Sequence, residues 1–401
     1  MDINSNNKLK YGFIAYPTIV FLLIYVFCYQ FAYPFTSTVF LYLSFLCMLI
    51  YLFVTRLIVI TTQIKMFIGI LAVSWIGIVY TNNSSEGMRE AIILSVIVIL
   101  MLVVAQDKNY LVKVKKAVYF CSFIVMIGVL IQSIIPDQFL DFMQKILRSD
   151  CYEQMRWSYR VDNAYAGFSA YTPDAAYFSA LIFGFVMLDL LKAKSNATKK
   201  YLLLDIILSI LALYSVILTS KRGLAVALIL AFVLTYLIMK RMSVKAILSI
   251  VIIVCIGMLA LYFFSDNNTA VSLFLQRFDA AEGTDLTTGR TTIWANAISA
   301  CTNWIWGMGT GSAYTIFSAG LHNIYLQLIF EHGVLGFLIY IAFFIYNLKN
   351  AIANNNPRSI YVQLIMLLYG FTGNPIYSTS FFIVYILYTI ISIDDLGEMQ
   401  A

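Results

Sequence analysis

Charged residues are scarce in this 401-residue chain: Asp, Glu, Lys and Arg make up 11% of it, against 61% hydrophobic residues. The mean hydropathy is +0.85. A soluble globular protein carries about a quarter charged residues, because its surface has to be hydrated. The composition therefore excludes a soluble enzyme and a nucleic-acid-binding protein, which need a polar surface, and a disordered protein, which needs low hydrophobicity. It indicates an integral membrane protein.

Cysteine and histidine are also few, with six and two residues respectively. Cys28, Cys47, Cys121 and Cys255 fall inside apolar runs, where a free thiol behaves as a small hydrophobic group. The spacing of the cysteines resembles neither a disulfide framework nor a metal site. We therefore expect no metal and no other cofactor.

Apolar runs long enough to cross a bilayer recur along the whole chain. A hydrocarbon core needs about 20 apolar residues per helix, and about twelve such runs are present. They cover residues 12–32, 36–54, 60–80, 89–105, 117–135, 173–191, 201–219, 223–239, 246–264, 322–347, 359–373 and 375–392. The sequence predicts an all-α integral membrane protein, a single polytopic domain over residues 1–401 with about twelve transmembrane helices.

The distribution of charge predicts the orientation of these spans. With the N-terminus in the cytoplasm, most of the 26 basic residues fall on the inner side and most of the 20 acidic residues fall outside, as the positive-inside rule requires. The basic residues predicted to lie outside are Arg89, Lys145, Arg148, Arg156, Arg160, Lys221, Arg222, Arg277 and Arg290.

Two predicted outer segments, residues 136–172 and 265–321, are too long to be simple turns. The first opens with apolar residues at helical spacing, which predicts an amphipathic helix at the membrane interface. The second contains an apolar stretch at 271–278, an acidic turn at 279–285 and a helix predicted to begin at Thr292. Long ordered loops usually carry function, so we expect the functional face to be the outer one.

The two histidines, His322 and His332, both belong to the tenth predicted span. His322 lies at the outer end of this span, where an imidazole can exchange protons near neutral pH. It can serve either as a catalytic base or as an interfacial cap of the helix, and the sequence leaves both roles open. His332 lies deeper, beside Glu331. For these two we favour a mutually satisfied polar pair over a proton relay.

Arg290 and Arg222 are arginines on the predicted outer side. A guanidinium suits bidentate recognition of phosphate, and Arg290 directly precedes a predicted helix whose free N–H groups would add to its pull on an anion. Arg222 lies beside Lys221 at the tip of a helical hairpin. Structural roles are equally open for each: Arg222 can reach lipid headgroups, and Arg290 can pair with Asp285 or Glu282.

A Gly-x-Gly-x-Gly run at Gly307, Gly309 and Gly311 resembles a nucleotide-binding loop only in its letters. No strand precedes it and no βαβ unit surrounds it. We interpret it as a flexible hinge before the tenth span.

Several short motifs, in order along residues 160–345, resemble the O-antigen polymerase and ligase family. No single motif is specific to this family. The resemblance rests on the order of the motifs, their common outer face and the span count taken together. They are Thr219-Ser220-Lys221-Arg222-Gly223, Gly289-Arg290-x-x-Ile293-Trp294, Gly307-x-Gly309, and His322-Asn323-x-x-Leu326 followed by Glu331-x-Gly333-x-x-Gly336.

The resemblance implies a metal-independent glycosyltransferase of the GT-C type in the bacterial inner membrane. It would act on undecaprenyl-diphosphate-linked glycans at the periplasmic face, so that segments 136–172 and 265–321 would be periplasmic loops. Arg222 and Arg290 would hold and neutralise the leaving diphosphate, and His322 would be the base that activates the acceptor hydroxyl. Charge stabilisation by arginine would replace a divalent metal.

Three further residues are implied as substrate-binding groups. Lys221 joins the cations that would clamp the diphosphate, Arg160 resembles a further family arginine, and Asp174 would orient Arg160 or the acceptor. Aromatic residues before the sixth span have two open roles, packing against sugar rings or forming an interfacial belt. They are Tyr152, Trp157, Tyr159, Tyr165, Phe168 and Tyr171.

Polymerase and ligase share this chemistry and differ in the acceptor, a second lipid-linked repeat unit or lipid A-core. We favour the polymerase, because a ligase is expected to present more cationic surface to phosphorylated lipid A-core. The expected partners are the undecaprenyl-diphosphate-linked donor and acceptor and membrane lipids; a chain-length regulator is left open, and nucleic acid is not expected. A lipid-linked oligosaccharide flippase is the competing class, but transporters place charges at the bilayer midplane, and most charges here lie at span ends.

Overall fold

The computed structural model describes residues 5–28, 30–31, 37–55, 58–106, 108–192, 199–239, 272, 289–317 and 320–390. The elements named within these residues are all helices. In chain order they are α1 (Ser5–Cys28), α2 (Ser37–Thr55), α3 (Thr62–Tyr80), α4 (Ser84–Val104), α5 (Lys108–Ile134), α6 (Pro136–Ile146), α7 (Ser149–Asp162), a 3₁₀ turn (Gly167–Ser169), α8 (Thr172–Lys192), α9 (Lys199–Leu218), α10 (Arg222–Ile238), α11 (Arg290–Ala300), α12 (Ser312–Phe317), α13 (Ile324–Ala353), α14 (Pro357–Tyr369) and α15 (Thr379–Thr389).

Five of the described helices are long and apolar enough to cross a membrane, namely α3, α4, α5, α8 and α13. Helices α1, α2, α9, α10 and α15 contribute shorter apolar segments. The prediction of an all-helical integral membrane protein is confirmed. The predicted span 246–264, most of the stretch 271–278 and the acidic turn 279–285 lie outside the described residues.

The last two predicted spans, 359–373 and 375–392, differ from the helices at their facing ends. Helix α14 ends at Tyr369, and α15 begins only at Thr379. Residues 370–378, which we call the 370–378 turn, separate the two helices. Part of their backbone forms hydrogen bonds with other segments and not along a helix. The carbonyl of Gly370, for example, accepts the N–H of Ile324 at 2.8 Å. Apolar composition does not reveal such a contact.

The fourth span also begins earlier than predicted, at Ser84 and not at Arg89. Asn83 caps the helix, because its side-chain oxygen accepts the N–H of Glu86 at 3.2 Å. Arg89 therefore lies inside the first turns of α4, and not in the loop before it.

Helix α8 forms the centre of the bundle, with 78% of its apolar window buried. At Gly184 the ring of Tyr361 fills the space that a Cβ would need, and the hydroxyl of Tyr361 donates to the carbonyl of Ala180 at 2.8 Å. Tyr177 stacks on Phe381 of α15 with ring centroids 3.9 Å apart. Small residues on α8 thus let aromatic neighbours approach closely, as is usual for helices packed in a membrane.

Polar contacts mark the two ends of the bundle. At one end Gln63 donates to Asn347 at 2.6 Å. At the other, the N–H of Tyr165 donates to the carbonyl of Leu218 at 3.0 Å, which ties the segment before α8 to the end of α9. The N-termini of α4, α8, α10, α13 and α15 lie at this second end, which we call the site end.

Helix α13 is broken inside the bundle at Gly333, where φ is 67° and ψ is −177°. Such a break frees backbone groups that lipid cannot satisfy. The glycine-rich loop before α12 satisfies them: the N–H of Met308 donates to the carbonyl of Phe330 at 2.7 Å, and the N–H of Val334 donates to the carbonyl of Trp304 at 2.8 Å. The loop therefore completes the broken helix.

This loop contains the Gly-x-Gly-x-Gly run, and its interpretation as a flexible hinge is wrong. A Cβ at Gly307 would lie 2.5 Å from the backbone of Glu331, and a Cβ at Gly309 would lie 2.7 Å from the carbonyl oxygen of Gly77. Both glycines also have positive φ. The glycines are needed because the loop passes close to other backbones, and not because it moves.

The amphipathic helix predicted after residue 136 is present as α6. Its apolar residues Phe139, Leu140 and Met143 are buried against Cys151 and Met155 of α7. The apolar face of α6 thus packs within the protein and forms a small separate core at the site end.

Candidate active site

The turn between α9 and α10 carries two neighbouring cations, as expected. α9 ends at Leu218 and α10 begins at Arg222. Between them Ser220 has a left-handed backbone with φ of 56°, which reverses the chain and leaves Lys221 directly before the new helix. Both cations therefore lie at the end of two apolar helices, where their charge can remain hydrated.

The 370–378 turn joins this hairpin to Arg290. A Cβ on Gly223, next to Arg222, would overlap with the Oγ1 atom of Thr372. The guanidinium of Arg290 donates to the carbonyl oxygen of the same Thr372 at 2.8 Å. Arg290 is the first residue of α11, which follows Gly289 with φ of 83°. One residue of the turn thus contacts both cationic segments of the predicted site.

His322 lies between α12 and α13, with a left-handed backbone at φ of 53°. This conformation is uncommon outside glycine and needs support from its surroundings. Support comes from both sides: the indole N–H of Trp294 donates to the carbonyl of Leu321 at 2.8 Å, and the side chain of Asn323 accepts the N–H groups of Tyr325 and Leu326 at 3.1 Å each. The flanking residues therefore hold His322 in place.

The electrostatic surroundings of His322 keep its imidazole neutral. Loss of water around the ring lowers the pKa of His322 most, and the positive charges of Arg290 and Lys221 lower this pKa further. The structure thus brings Arg290 and Lys221 within electrostatic range of His322, although the three residues are far apart in the sequence. His322 is nevertheless exposed at the surface, so a substrate can reach it. A neutral imidazole is the form that can accept a proton.

A buried chain of hydrogen bonds leads from the peptide before His322 to the 370–378 turn. Gln327 accepts the N–H of Leu321 at 3.0 Å and donates to Glu331 at 3.1 Å. Glu331 accepts the hydroxyl of Tyr377 at 2.9 Å. The sequence analysis missed Gln327, Tyr377 and Thr372. Gly370, Gly373 and Pro375, which lie between two apolar runs, are the sequence signal that could have indicated a turn there.

Glu331 and His332 do not form the mutually satisfied pair that was favoured from the sequence. The carboxylate of Glu331 bonds to Gln327 and Tyr377, while the ring of His332 stacks on Tyr340 with centroids 5.6 Å apart. The Nδ1 atom of His332 has no hydrogen-bond partner among the described residues. Adjacent residues of a helix point in different directions, and this favours separate partners.

Asp174, in the first turn of α8, is buried at the site end. Ser380 donates to its carboxylate at 3.1 Å and Ser378 at 3.5 Å. Tyr369 lies within electrostatic range of both Asp174 and Arg290. Asp174 therefore borders the cationic site through the 370–378 turn.

Arg160 is exposed in the last turn of α7. The segment after α7 is bonded to the end of α9, so Arg160 shares the site end with Lys221. Among the described residues, the side chain of Arg160 forms no hydrogen bond or ion pair with Arg290 or His322. The structure thus brings His322, Arg290 and Lys221 together, and it leaves Arg160 on a neighbouring surface.

The aromatic residues before α8 divide into two groups. Tyr165 is buried, and it contacts Tyr159 with ring centroids 5.6 Å apart. Phe168 contacts Phe139 of α6, whereas Trp157 is 53% exposed. Most of the stretch therefore serves packing, and Trp157 remains available to a ligand or to the membrane interface.

Within the described residues, no group of three or more His, Cys, Asp or Glu side chains is arranged to hold a metal ion. The expected reaction without a metal stays a prediction.

Residues 207–341 match the family model described as O-antigen ligase. This range contains the α9–α10 turn, Arg290 and His322. The resemblance to the O-antigen polymerase and ligase family is thereby confirmed over that segment. The family implies a glycosyl-transfer enzyme of glycan assembly with lipid-linked glycan substrates, and it includes both polymerases and ligases. No curated protein matches the chain.

Proposed function

We propose, from this family match and from the cationic site around His322, that the protein is an O-antigen polymerase. It joins undecaprenyl-diphosphate-linked repeat units at the periplasmic face of the bacterial inner membrane. The observation that carries the proposal is that Arg290, held by the carbonyl of Thr372, and Lys221 lie within electrostatic range of the exposed His322 and favour its neutral form. A base and two cations are what glycosyl transfer from a diphosphate requires.

The cations act on the leaving group. As the bond between the donor sugar and the diphosphate breaks, the electron pair stays with the phosphate oxygen and negative charge develops there. Arg290, Arg222 and Lys221 neutralise this charge, and the planar guanidinium of an arginine bonds two phosphate oxygens at once. Thr372 holds Arg290 through its carbonyl, which leaves other guanidinium N–H groups for the ligand.

His322 acts on the acceptor. Its neutral imidazole takes the proton of the acceptor hydroxyl while that oxygen bonds to the anomeric carbon of the donor. The products are the elongated lipid-linked glycan, undecaprenyl diphosphate and a proton on His322, which later passes to water. Arg160 and Trp157 are proposed to contact the glycan, because both lie exposed at the site end. Asp174 orients the acceptor through the 370–378 turn.

The ligase is the second candidate, because the matching family model carries that description. The polymerase is preferred because few basic residues lie on the predicted outer face, whereas phosphorylated lipid A-core would call for more.

Deletion of the gene followed by electrophoresis of the lipopolysaccharide separates the candidates. A single repeat unit on the core supports the polymerase. An unmodified core with accumulating lipid-linked polymer would replace it by the ligase, and loss of translocated repeat units would replace it by a flippase.

Alanine variants test the site itself. We expect His322→Ala, Arg290→Ala and Arg222→Ala to insert at normal levels and to abolish glycan elongation. Arg156→Ala is the matched control, because Arg156 is a cation of α7 whose partner is Glu153, at 3.7 Å. Normal polymer ladders from all three site variants would contradict the assignment of His322, Arg290 and Arg222 to the active site.

A further inference from the structure

A cavity of about 650 Å³ opens at the site end on the other side of the 370–378 turn. Its volume falls within the range of about 300–1,000 Å³ that is typical of small-molecule sites. None of the residues assigned to the proposed active site lines it. The described lining residues come from α1, α2, α4, the segments before and after α7, the 370–378 turn and the start of α15.

Two cations line the cavity. They are Arg89 and Arg148, and none of the described residues that line it is a carboxylate. Each guanidinium also contacts a carboxylate outside the lining, Glu86 or Asp150, at 2.9 Å. These contacts hold the two arginines in position, and the buried Nε of Arg148 finds no acceptor among the described residues. Paired arginines without lining carboxylates favour a phosphate-bearing ligand.

The cavity also has an apolar lining. Val26 of α1, Leu41 of α2, and Ile92 and Ile93 of α4 contribute to it. A cavity lined both by arginines and by aliphatic side chains of membrane helices fits an amphiphile, with phosphate at the arginines and hydrocarbon along the helices. A free sugar or a soluble phosphate would use only part of this lining.

The wall between the cavity and the proposed active site is the 370–378 turn and the residues after it. Ser380 and Ser378 line the cavity and also bond to Asp174. Tyr377 lines the cavity as well and bonds to Glu331, whose chain of hydrogen bonds leads to the peptide before His322. A ligand in the cavity would therefore lie next to the groups that hold Asp174 and His322.

We propose that this cavity binds the diphosphate and first isoprene units of a second polyprenyl-linked substrate, with Arg89 and Arg148 on its phosphates. The inference rests on the proposed function, because a polymerase joins two lipid-linked glycans and needs a place for each lipid. The donor diphosphate then lies at Arg290, and the acceptor lipid lies in the cavity.

Binding stoichiometry tests the proposal without requiring catalysis. The full chain in phosphatidylcholine nanodiscs is titrated with undecaprenyl diphosphate that carries no sugar, and bound lipid is counted by native mass spectrometry. We expect two lipids per chain, one in the double variant Arg89→Gln/Arg148→Gln, one in Arg290→Gln, and two in the control Arg156→Gln. Ser85→Trp, which fills the cavity and leaves its charges, is also expected to bind one.

The outcomes separate the two proposals. A single lipid that is lost in Arg290→Gln and kept in the double variant overturns the cavity site and supports the proposed active site. A single lipid that is lost in the double variant and in Ser85→Trp but kept in Arg290→Gln supports the cavity and overturns the donor site. Equal displacement of the cavity lipid by phosphatidylglycerol would show a general anionic-lipid site and overturn the acceptor assignment.

Discussion

Gln327 accepts the backbone N–H of Leu321 at 3.0 Å, and this bond fixes the peptide that immediately precedes His322. The side chain of Gln327 is completely buried, so the bond is shielded from water. His322 itself has a left-handed backbone conformation, which is uncommon for residues other than glycine. The position of the proposed base therefore depends on a residue one turn into α13.

The variant Gln327→Leu tests this dependence. Leucine keeps the volume but leaves the N–H of Leu321 without the acceptor Gln327, and the carboxylate of Glu331 loses one of its donors while it keeps Tyr377. A displacement of the imidazole by about 1 Å is expected to lower kcat about 100-fold with little change in KM. The measurement is the rate of glycan elongation by purified enzyme in nanodiscs, at several concentrations of lipid-linked repeat unit.

Gln363→Leu is the matched control for that experiment. Gln363 is also completely buried, but its side chain donates to the carbonyl of Asn347, at the end opposite to the site. Its loss is expected to cost comparable stability and to leave kcat unchanged. Equal falls in kcat from both variants would mean that Gln327 acts on the fold alone.

The pH dependence of elongation is expected to report on Lys221. Water loss and the charges of Arg290 and Lys221 lower the pKa of His322, so the base stays neutral and active to below its usual pKa of about 6.5. In Lys221→Gln one cation is removed, protonation of His322 becomes easier, and its pKa rises. The acid limb of the profile of kcat/KM against pH is then expected to move to higher pH.

Lys221→Arg, which keeps the charge, is the control and is expected to leave the acid limb in place. An acid limb that stays unchanged in Lys221→Gln would show that Lys221 does not influence the pKa of His322.

Gly223→Ala is expected to disturb the site through Thr372. The new methyl group overlaps with Oγ1 of Thr372, whose carbonyl holds Arg290. Arg290 is then displaced, and elongation is expected to fall at least tenfold, which corresponds to about 1.4 kcal/mol in the transition state. The control is Gly69→Ala in α3, where the nearest atom, Cγ2 of Ile339, would lie at an ordinary 3.6 Å. Unchanged elongation in Gly223→Ala would show that the turn adapts without moving Arg290.

The broken helix is expected to require glycine at position 333. Gly333→Ala combines a left-handed backbone with an overlap between the new Cβ and the carbonyl oxygen of Ile305. Backbone strain alone costs about 1–3 kcal/mol, and the overlap adds to it. The temperature at which half of the detergent-solubilised protein has aggregated measures the effect.

Gly289→Ala isolates the strain in that comparison. Its φ is +83°, but no atom of the described residues lies within 4 Å of the added methyl group. We expect a smaller fall in the aggregation temperature than in Gly333→Ala. Equal falls would indicate that the loop before α12 yields to the new side chain.

The predictability of the fold follows from the cost of burying polar groups in lipid. The run at 60–80 became α3, Thr62–Tyr80, because long apolar segments without charge have one stable form in a membrane. The same cost places Lys221 and Arg222 at a helix end, as the sequence indicated. The error at 359–373 arose because the 370–378 turn is held by contacts from distant segments, which composition does not contain.

Composition and motif order indicate a helical membrane protein and give His322, Arg290 and Arg222 as candidate site residues. Both are local properties of the chain, so they can be read without coordinates. The contacts of Thr372, Gln327 and Tyr377 around these residues, and the cavity that Arg89 and Arg148 share, became visible only in the folded chain. Hydrogen bonds and cavities join residues far apart in the chain, and their positions depend on how the helices pack.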